Sequence, residues 1–130
     1  MSVEVEIRAK EKVVVACLKG QMTAEELAVG YARIFEDPAF EINMAALWDI
    51  SGLNLTRIEI SEIRALPKLL GQYSTRRGAQ YRAAIVTNRV ADFQLLRMYA
   101  ALLKLIGSFR MKVFTNHEDA LAWLALQKDE

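Results

Sequence analysis

One short apolar run decides the fold of this chain: Met44-Ala45-Ala46-Leu47-Trp48-Asp49-Ile50, followed by the turn residues Ser51-Gly52-Leu53-Asn54. A run of this length, closed by small polar residues, is typical of a strand that is buried on both faces of a sheet. Strand-like and helix-like segments alternate on both sides of it. We therefore expect this run to be an inner strand of an α/β domain.

Two strands and one helix are predicted before the central run. Residues 3–7 alternate apolar and charged side chains, which indicates a half-exposed edge strand, while residues 13–18 are apolar on both faces. Thr23 and Glu26 form a capping-box pattern at the start of a helix. Asp37 precedes a proline and should end that helix, because such a position is disfavoured in the helical region.

The second half of the chain continues the alternation. Apolar residues from Ile60 to Tyr73 fall at helical spacing, and Pro67 should kink this helix or begin a new one. The remaining predicted elements are a polar loop over 72–80, a buried strand over 82–88, a long helix from about 90 to 106 that ends at Gly107, a short strand over 111–115, and a last helix capped by Asn116. The order β-β-α-β-α-β-α-β-α predicts a mainly parallel sheet with one antiparallel strand, in a single domain over residues 1–130.

The composition is that of a globular protein. Apolar residues make up 53% of the chain and charged residues 25%. The N-terminus lacks the pattern of a signal peptide, and no uncharged apolar stretch approaches the roughly 18 residues that a membrane span requires. We expect a cytoplasmic protein that does not span a membrane.

The charges are distributed unevenly along the chain. Residues 63–112 contain ten basic residues and one acidic residue, a balance of +9, whereas residues 1–62 contain six basic and eleven acidic residues, a balance of −5. This pattern fits either a basic surface for an anionic partner or solvated helix faces that pair with the acidic first half. We favour the second interpretation. No nucleic-acid partner is expected, because the interleaved aromatic residues of such platforms are missing.

No catalytic group of residues is found in the sequence. His117 is the only histidine and Cys17 the only cysteine, which excludes histidine-rich and cysteine-cluster metal sites. We expect Cys17 to be a buried structural thiol, and His117 to be exposed in the first turn of the last helix without a role. Asp49 with Glu59 or Glu62 would make a carboxylate pair, but turn and capping roles are favoured. The prediction is a protein without catalytic residues, metal or cofactor, and not an enzyme.

Several segments resemble a known family. Leu47-Trp48-Asp49-Ile50-Ser51-Gly52 resembles the strand and turn of SpoIIAA-like and STAS domains. Residues 37–40, 96–102 and 113–124 resemble corresponding segments of the bacterial SpoIIAA-like (STAS/SEC14-type) proteins. The resemblance implies a SpoIIAA/STAS-like βα superhelix. It also implies a non-enzymatic regulatory or protein-interaction module, similar to the anti-sigma factor antagonists.

The chain departs from the regulatory members of that family at one position. Their strand and turn lead into Asp-Ser-Ser-Gly, whose serine is phosphorylated at a helix start. The corresponding residues here are Arg57-Ile58-Glu59-Ile60, so the phosphorylatable serine is absent. The same loop and helix start remain the expected surface for a protein partner, with a homodimer also expected. The predicted partner-binding residues are Asn54, Thr56, Arg57 and Ser61.

The predicted long helix supports an alternative function. Between Phe93 and Ile106 it is apolar around most of its circumference, with Arg97 and Lys104 as its charged residues. The excess apolar surface would pack on neighbouring helices, on a second copy of the chain, or on a lipid-like ligand. We favour neighbours or a dimer. The alternative is a SEC14-like carrier or sensor of a small apolar, anionic ligand, with Arg97, Tyr99 and Lys104 as its binding residues.

Overall fold

The computed structural model of the chain describes residues 1–54, 57–89 and 110–129. Its strands are β1 Ser2–Arg8, β2 Val13–Gly20, β3 Ala45–Leu53, β4 Arg82–Val86 and β5 Arg110–Phe114. Its helices are α1 Ala24–Glu36, α2 Ile60–Gly71, α3 Ser74–Arg77 and α4 His117–Ala125, followed by the 3₁₀ turn Leu126–Asp129. The predicted helix from about 90 to 106 lies outside the described residues.

The five strands form one sheet in the order β1-β2-β3-β4-β5. β1 runs antiparallel to β2, and the other three pairs are parallel. The predicted central run is β3, the middle strand, where Leu47 pairs with Val15 on one side and Ala84 on the other. Leu47 is 0% exposed. The predicted α/β class, with a mainly parallel sheet and one antiparallel strand, is therefore confirmed.

Helices cover both faces of the sheet. One face presents the side chains of Val15, Leu47 and Ala84 to Ala120 and Leu124 of α4. The opposite face packs against α1 and α2, through two clusters that include Val14, Ala46, Leu18, Ile50, Ile34 and Leu27. Side chains alternate between the two faces from Ala45 to Ile50 of β3, which explains this division, because successive side chains of a strand point to opposite faces.

The predicted caps at Thr23 and Asn116 and the predicted end of α1 at Asp37 agree with the structure, whereas the helix end predicted at Gly107 lies outside the described residues. The Thr23 hydroxyl accepts a hydrogen bond from the Glu26 backbone N–H at 3.3 Å, and the Asn116 side chain accepts one from Asp119 N–H at 2.8 Å. α1 ends at Glu36, with Asp37 in an extended conformation before the proline. Pro67 lies inside the single helix α2 and does not begin a new one.

The predicted polar loop over 72–80 is wrong in one respect, because it contains the helical turn α3. Arg77 N–H donates to Tyr73 O at 2.8 Å, and Gly78 N–H donates to Ser74 O at 3.0 Å. Gly78 follows with a φ of +85°, and a Cβ at this position would collide with the Asn43 side chain. The turn therefore requires glycine. Among the described ranges, no helix has the length and apolarity to cross a bilayer.

Candidate interaction surface

The predicted partner-binding residues fall at the carboxyl end of β3 and the start of α2. We call Asn54 together with residues 57–61 the α2 entry segment. Its backbone is held at two points: Arg57 N–H donates to Asn54 O at 3.1 Å, and the Gln21 side chain donates to Arg57 O at 3.1 Å. The Arg57 side chain itself is exposed. The segment thus presents side chains from an anchored backbone.

Two isoleucines of the segment lie in different environments: the side chain of Ile58 is buried in the core, and that of Ile60 is exposed to solvent. Ile58 is 9% exposed and packs in the cluster that contains Leu18 and Leu27. Ile60 is 63% exposed, and Ser61 beside it is also exposed. The position that the family resemblance aligns with a phosphorylated serine is therefore a core residue here. Ile58 has no hydroxyl group, and its side chain stabilises the end of the strand.

The start of α2 has no side-chain cap of its own. Glu59 is the N-cap residue, and its carboxylate makes no capping hydrogen bond. Glu62 instead reaches across to α1 and accepts a hydrogen bond from Ala24 N–H at 2.6 Å. A carboxylate is favourable there because the helix N-terminus carries a partial positive charge. This contact fixes the beginnings of α1 and α2 relative to each other, and it confirms a capping role for Glu62.

Asp49 and His117 meet on the opposite face of the sheet. His117 Nε2 lies 2.7 Å from Asp49 Oδ2, and Ser51 N–H donates to Asp49 Oδ1 at 2.9 Å. Burial alone would raise the pKa of Asp49, but the hydrogen bonds from His117 and Ser51 outweigh it and lower that pKa. The expectation that His117 has no role is wrong. The pair fastens the start of α4 to the end of β3.

Cys17 lies on the strand next to Asp49 and pairs with it in register. The thiol is partly exposed, so the prediction of a fully buried thiol is wrong. Burial and the negative charge of Asp49 raise the pKa of Cys17. A raised pKa keeps the sulfur protonated, which is the opposite of what a nucleophilic cysteine requires. The neighbouring Asp49 and His117 therefore do not activate Cys17.

Arg77 is an interior residue that the sequence did not single out. It is 4% exposed, and its guanidinium carbon lies 3.5 Å from the centroid of the Tyr81 ring and 5.8 Å from that of Phe40. Burial lowers the pKa of Arg77, while the phenol groups of Tyr81 and Tyr31 favour its charged form. Cation–π contacts of this kind stabilise a desolvated arginine. Arg77 thus belongs to the core and not to a surface for partners.

The described surface offers shallow grooves. One of about 450 Å³ lies at the amino end of β3, between Glu11, Lys12, Ile42, Asn43 and Gln127. No group of three acidic, histidine or cysteine side chains in the described ranges is placed to hold a metal ion. The residues that line this groove do not belong to the α2 entry segment.

The structure brings three of the four predicted partner-binding residues together. Asn54, Arg57 and Ser61 belong to the α2 entry segment, whereas Thr56 lies outside the described residues. Arg97, Tyr99 and Lys104, which the alternative function requires, also lie outside them. The sequence pattern placed Ile60 with the apolar residues of this helix, but the structure leaves its side chain 63% exposed beside Ser61.

The comparison with solved structures finds an uncharacterized protein of the DUF3478 family from Shewanella loihica PV-4, described as having a SpoIIAA-like fold. The two chains superpose with a TM-score of 0.64 at 17% sequence identity, over 95% of this chain and 92% of that chain. No protein-family model matches this chain, and the comparison with curated proteins finds no similar sequence. The likeness confirms the predicted SpoIIAA-like fold. A shared fold alone does not assign a function.

Proposed function

We propose that this SpoIIAA-like chain is a non-enzymatic protein-interaction module and that the α2 entry segment is its partner-binding surface. One observation carries the proposal: exposed side chains stand on a backbone that the rest of the fold holds in place. Arg57, Ile60 and Ser61 are exposed, while Ile58 between them is buried. Binding to such a prearranged surface requires little ordering of the chain, which lowers the entropic cost of association.

The chemistry of the segment fits recognition better than catalysis. It combines a cation, an exposed aliphatic side chain and a hydroxyl group within five residues, next to the open amino end of a helix. Arginine and large apolar residues are common in protein interfaces. The family resemblance also makes the helix start a recognition surface. Because Ile58 replaces the phosphorylatable serine, the module is proposed to bind without a phosphate switch at this position.

Site-specific cross-linking tests the proposal. A photoreactive phenylalanine analogue replaces Ser61 in one variant and Glu36, at the exposed end of α1, in the other. Each variant is irradiated in the cells from which the chain comes. We expect a discrete protein adduct from position 61 and not from position 36. The captured protein is then purified, and its affinity for the unmodified chain is measured by calorimetry.

Charge reversal provides the matched control. Arg57→Glu should weaken the affinity at least about tenfold, which corresponds to about 1.4 kcal/mol, whereas Arg33→Glu on the exposed face of α1 should leave it within about twofold. Circular dichroism checks that both variants are folded. Equal adducts from both positions, or equal effects of the two reversals, would contradict the proposed surface. A bound small molecule in place of a protein would favour the carrier function.

A further inference from the structure

The outward face of α2 carries charge of one sign. Exposed residues recur along the helix at positions that share one face: Ile60, Ser61, Arg64, Pro67, Lys68 and Gly71. The charged members of this face are Arg64 and Lys68, and the exposed Arg57 precedes them in the α2 entry segment. We call Arg57, Ile60, Arg64 and Lys68 the α2 basic stripe.

The three cations of the stripe, Arg57, Arg64 and Lys68, form no salt bridges within residues 1–54, 57–89 and 110–129. The one carboxylate inside α2, that of Glu62, is directed to α1, where it accepts the Ala24 N–H. Glu59 precedes the helix and is exposed, and it forms no salt bridge with the stripe. The three cations therefore lie on a solvated helix face, as the favoured interpretation of the charge pattern expects, but they form no salt bridges with the acidic first half of the chain.

The opposite face of α2 is packed against the core of the domain. Ile63 and Leu66 pack against the cluster around Leu18, and Leu70 packs against the cluster around Phe35. The helix therefore cannot turn its apolar face outward. Its exposed face has one large apolar residue, Ile60, whereas a helix that lies on a membrane needs a broad apolar face. These features favour a protein partner over a lipid surface.

We infer that the α2 basic stripe docks an acidic segment of the partner protein. This inference rests on the proposed function and names the chemistry of its partner. Carboxylates of that segment pair with Arg57, Arg64 and Lys68, while Ile60 supplies the apolar contact. The amino end of α2 adds a partial positive charge of the same sign. Complementary charges of this kind speed association and select against basic competitors.

The test uses the whole ¹⁵N-labelled chain and a defined probe. The probe is a capped twelve-residue peptide with glutamates spaced four apart and one central leucine, and its control has glutamine at every glutamate. We expect the acidic peptide to shift the amide signals of residues 57–66 and of Lys68, and the glutamine peptide to leave them unchanged. Raising the salt from about 50 to about 300 mM should weaken binding severalfold, because the contacts are exposed charge pairs.

Two pairs of variants make the result decisive. Arg64→Glu/Lys68→Glu should weaken peptide binding at least about tenfold. If this charge reversal disturbs folding, the milder Arg64→Gln/Lys68→Gln replaces it and should also weaken peptide binding. Arg33→Glu should change it less than twofold. Equal binding of the two peptides, shifts elsewhere in the chain, or binding only to vesicles with about 30% anionic lipid would overturn the inference.

The outcomes separate this inference from the proposed function. If a partner is captured at Ser61 and its affinity is unchanged by Arg64→Glu/Lys68→Glu, only the acidic docking segment is contradicted. Peptide binding at the stripe, combined with no protein adduct at Ser61, contradicts only the proposed entry-segment surface.

Discussion

At the scale of single residues, Asp49 and His117 make the contact that ties α4 to the central strand. The two side chains meet at 2.7 Å although 68 positions separate them in the chain. Asp49 is mostly shielded from solvent, with 21% of its side chain exposed. Hydrogen bonds to a charged group at such a site contribute more than those on an open surface.

We expect Asp49→Asn to lower the free energy of unfolding by about 1–2 kcal/mol at neutral pH. The pKa of Asp49 is lowered in the folded state, so its contribution is present above the unfolded value of about 3.8 and is lost as the pH falls through the folded value. Urea denaturation at several pH values between 2 and 7 tests this. The gap between wild type and variant should begin to narrow below about pH 4 and should close as the pH falls past the folded pKa of Asp49, whereas Glu36→Gln should show no comparable gap at any pH. A gap of equal size at pH 3 and pH 7 would contradict the assignment.

Arg77 and Arg76 are adjacent arginines in different environments. Arg77 is buried against Tyr81 at 3.5 Å, whereas Arg76 is exposed and lies 5.6 Å from the Phe35 ring. We expect Arg77→Lys to destabilise the fold by about 2 kcal/mol, because an ammonium group is harder to desolvate and cannot stack its plane on a ring. Arg76 also donates a hydrogen bond to Phe35 O at 3.1 Å, so Arg76→Lys should cost about 0.5–1 kcal/mol, still less than Arg77→Lys. Thermal unfolding of the two variants compares them directly, and similar losses would show that burial of Arg77 is unimportant.

At the scale of elements, close approach between α1 and β1 sets the edge of the sheet. Gly30 on α1 lies against Val3 of β1, and a Cβ at this position would lie 2.6 Å from a Val3 methyl group. Val3 also contacts the cluster that contains Leu18 and Leu27. The edge strand β1 is therefore held by its backbone hydrogen bonds to β2 and by its packing against α1. This packing is possible only because residue 30 of α1 has no side chain.

We expect Gly30→Ala to destabilise the fold by about 1–3 kcal/mol, because the added methyl group pushes β1 away from α1. Gly71, the last residue of α2, has no atom within 4 Å of the position of a Cβ. Gly71→Ala should therefore be neutral or stabilising by up to about 1 kcal/mol. Urea titrations of both variants make the comparison. Equal destabilisation would mean that the alanine acts through helix geometry and not through contact with Val3.

At the scale of the whole molecule, the two edges of the sheet carry opposite charge. β1 exposes Glu4 and Glu6, and β5 exposes Arg110 and Lys112. In a symmetric dimer, pairing of β1 with β1 or of β5 with β5 would bring charges of one sign together, which disfavours it. A symmetric dimer is therefore expected to use a helix surface outside the α2 basic stripe, such as the face of α1 on which Val29 is 56% exposed.

Native mass spectrometry of the purified chain at micromolar concentration tests the homodimer that the sequence led us to expect. We expect a mass of two chains without added mass, and the same chain mass after denaturation. Salt should weaken the dimer only moderately if apolar helix residues contribute. A species that carries a few hundred extra daltons, lost on denaturation, would instead support ligand carriage. A monomer without added mass would contradict the dimer but not the proposed binding of another protein.

The sequence by itself determined the elements that depend on local patterns. The caps at Thr23 and Asn116 formed as expected, and the run from Met44 to Ile50 lies almost entirely in β3, although that strand continues to Leu53 through residues that were predicted to form a turn. These features follow from side-chain periodicity and from hydrogen bonds between residues three positions apart, which the sequence displays directly. The contiguity of Asn54, Arg57 and Ser61 could be predicted for the same reason.

The tertiary structure alone decided how distant residues meet. It joined His117 to Asp49, placed Arg77 among aromatic rings, and aimed Glu62 at the start of α1 instead of at the Arg64 side of its own helix. Each of these depends on the packing of separate elements, and local periodicity does not encode which distant side chain will be the partner. The same packing leaves the cations of the α2 basic stripe exposed and without salt bridges in the described part of the chain, because the carboxylate of Glu62, the acidic residue inside α2, bonds to α1.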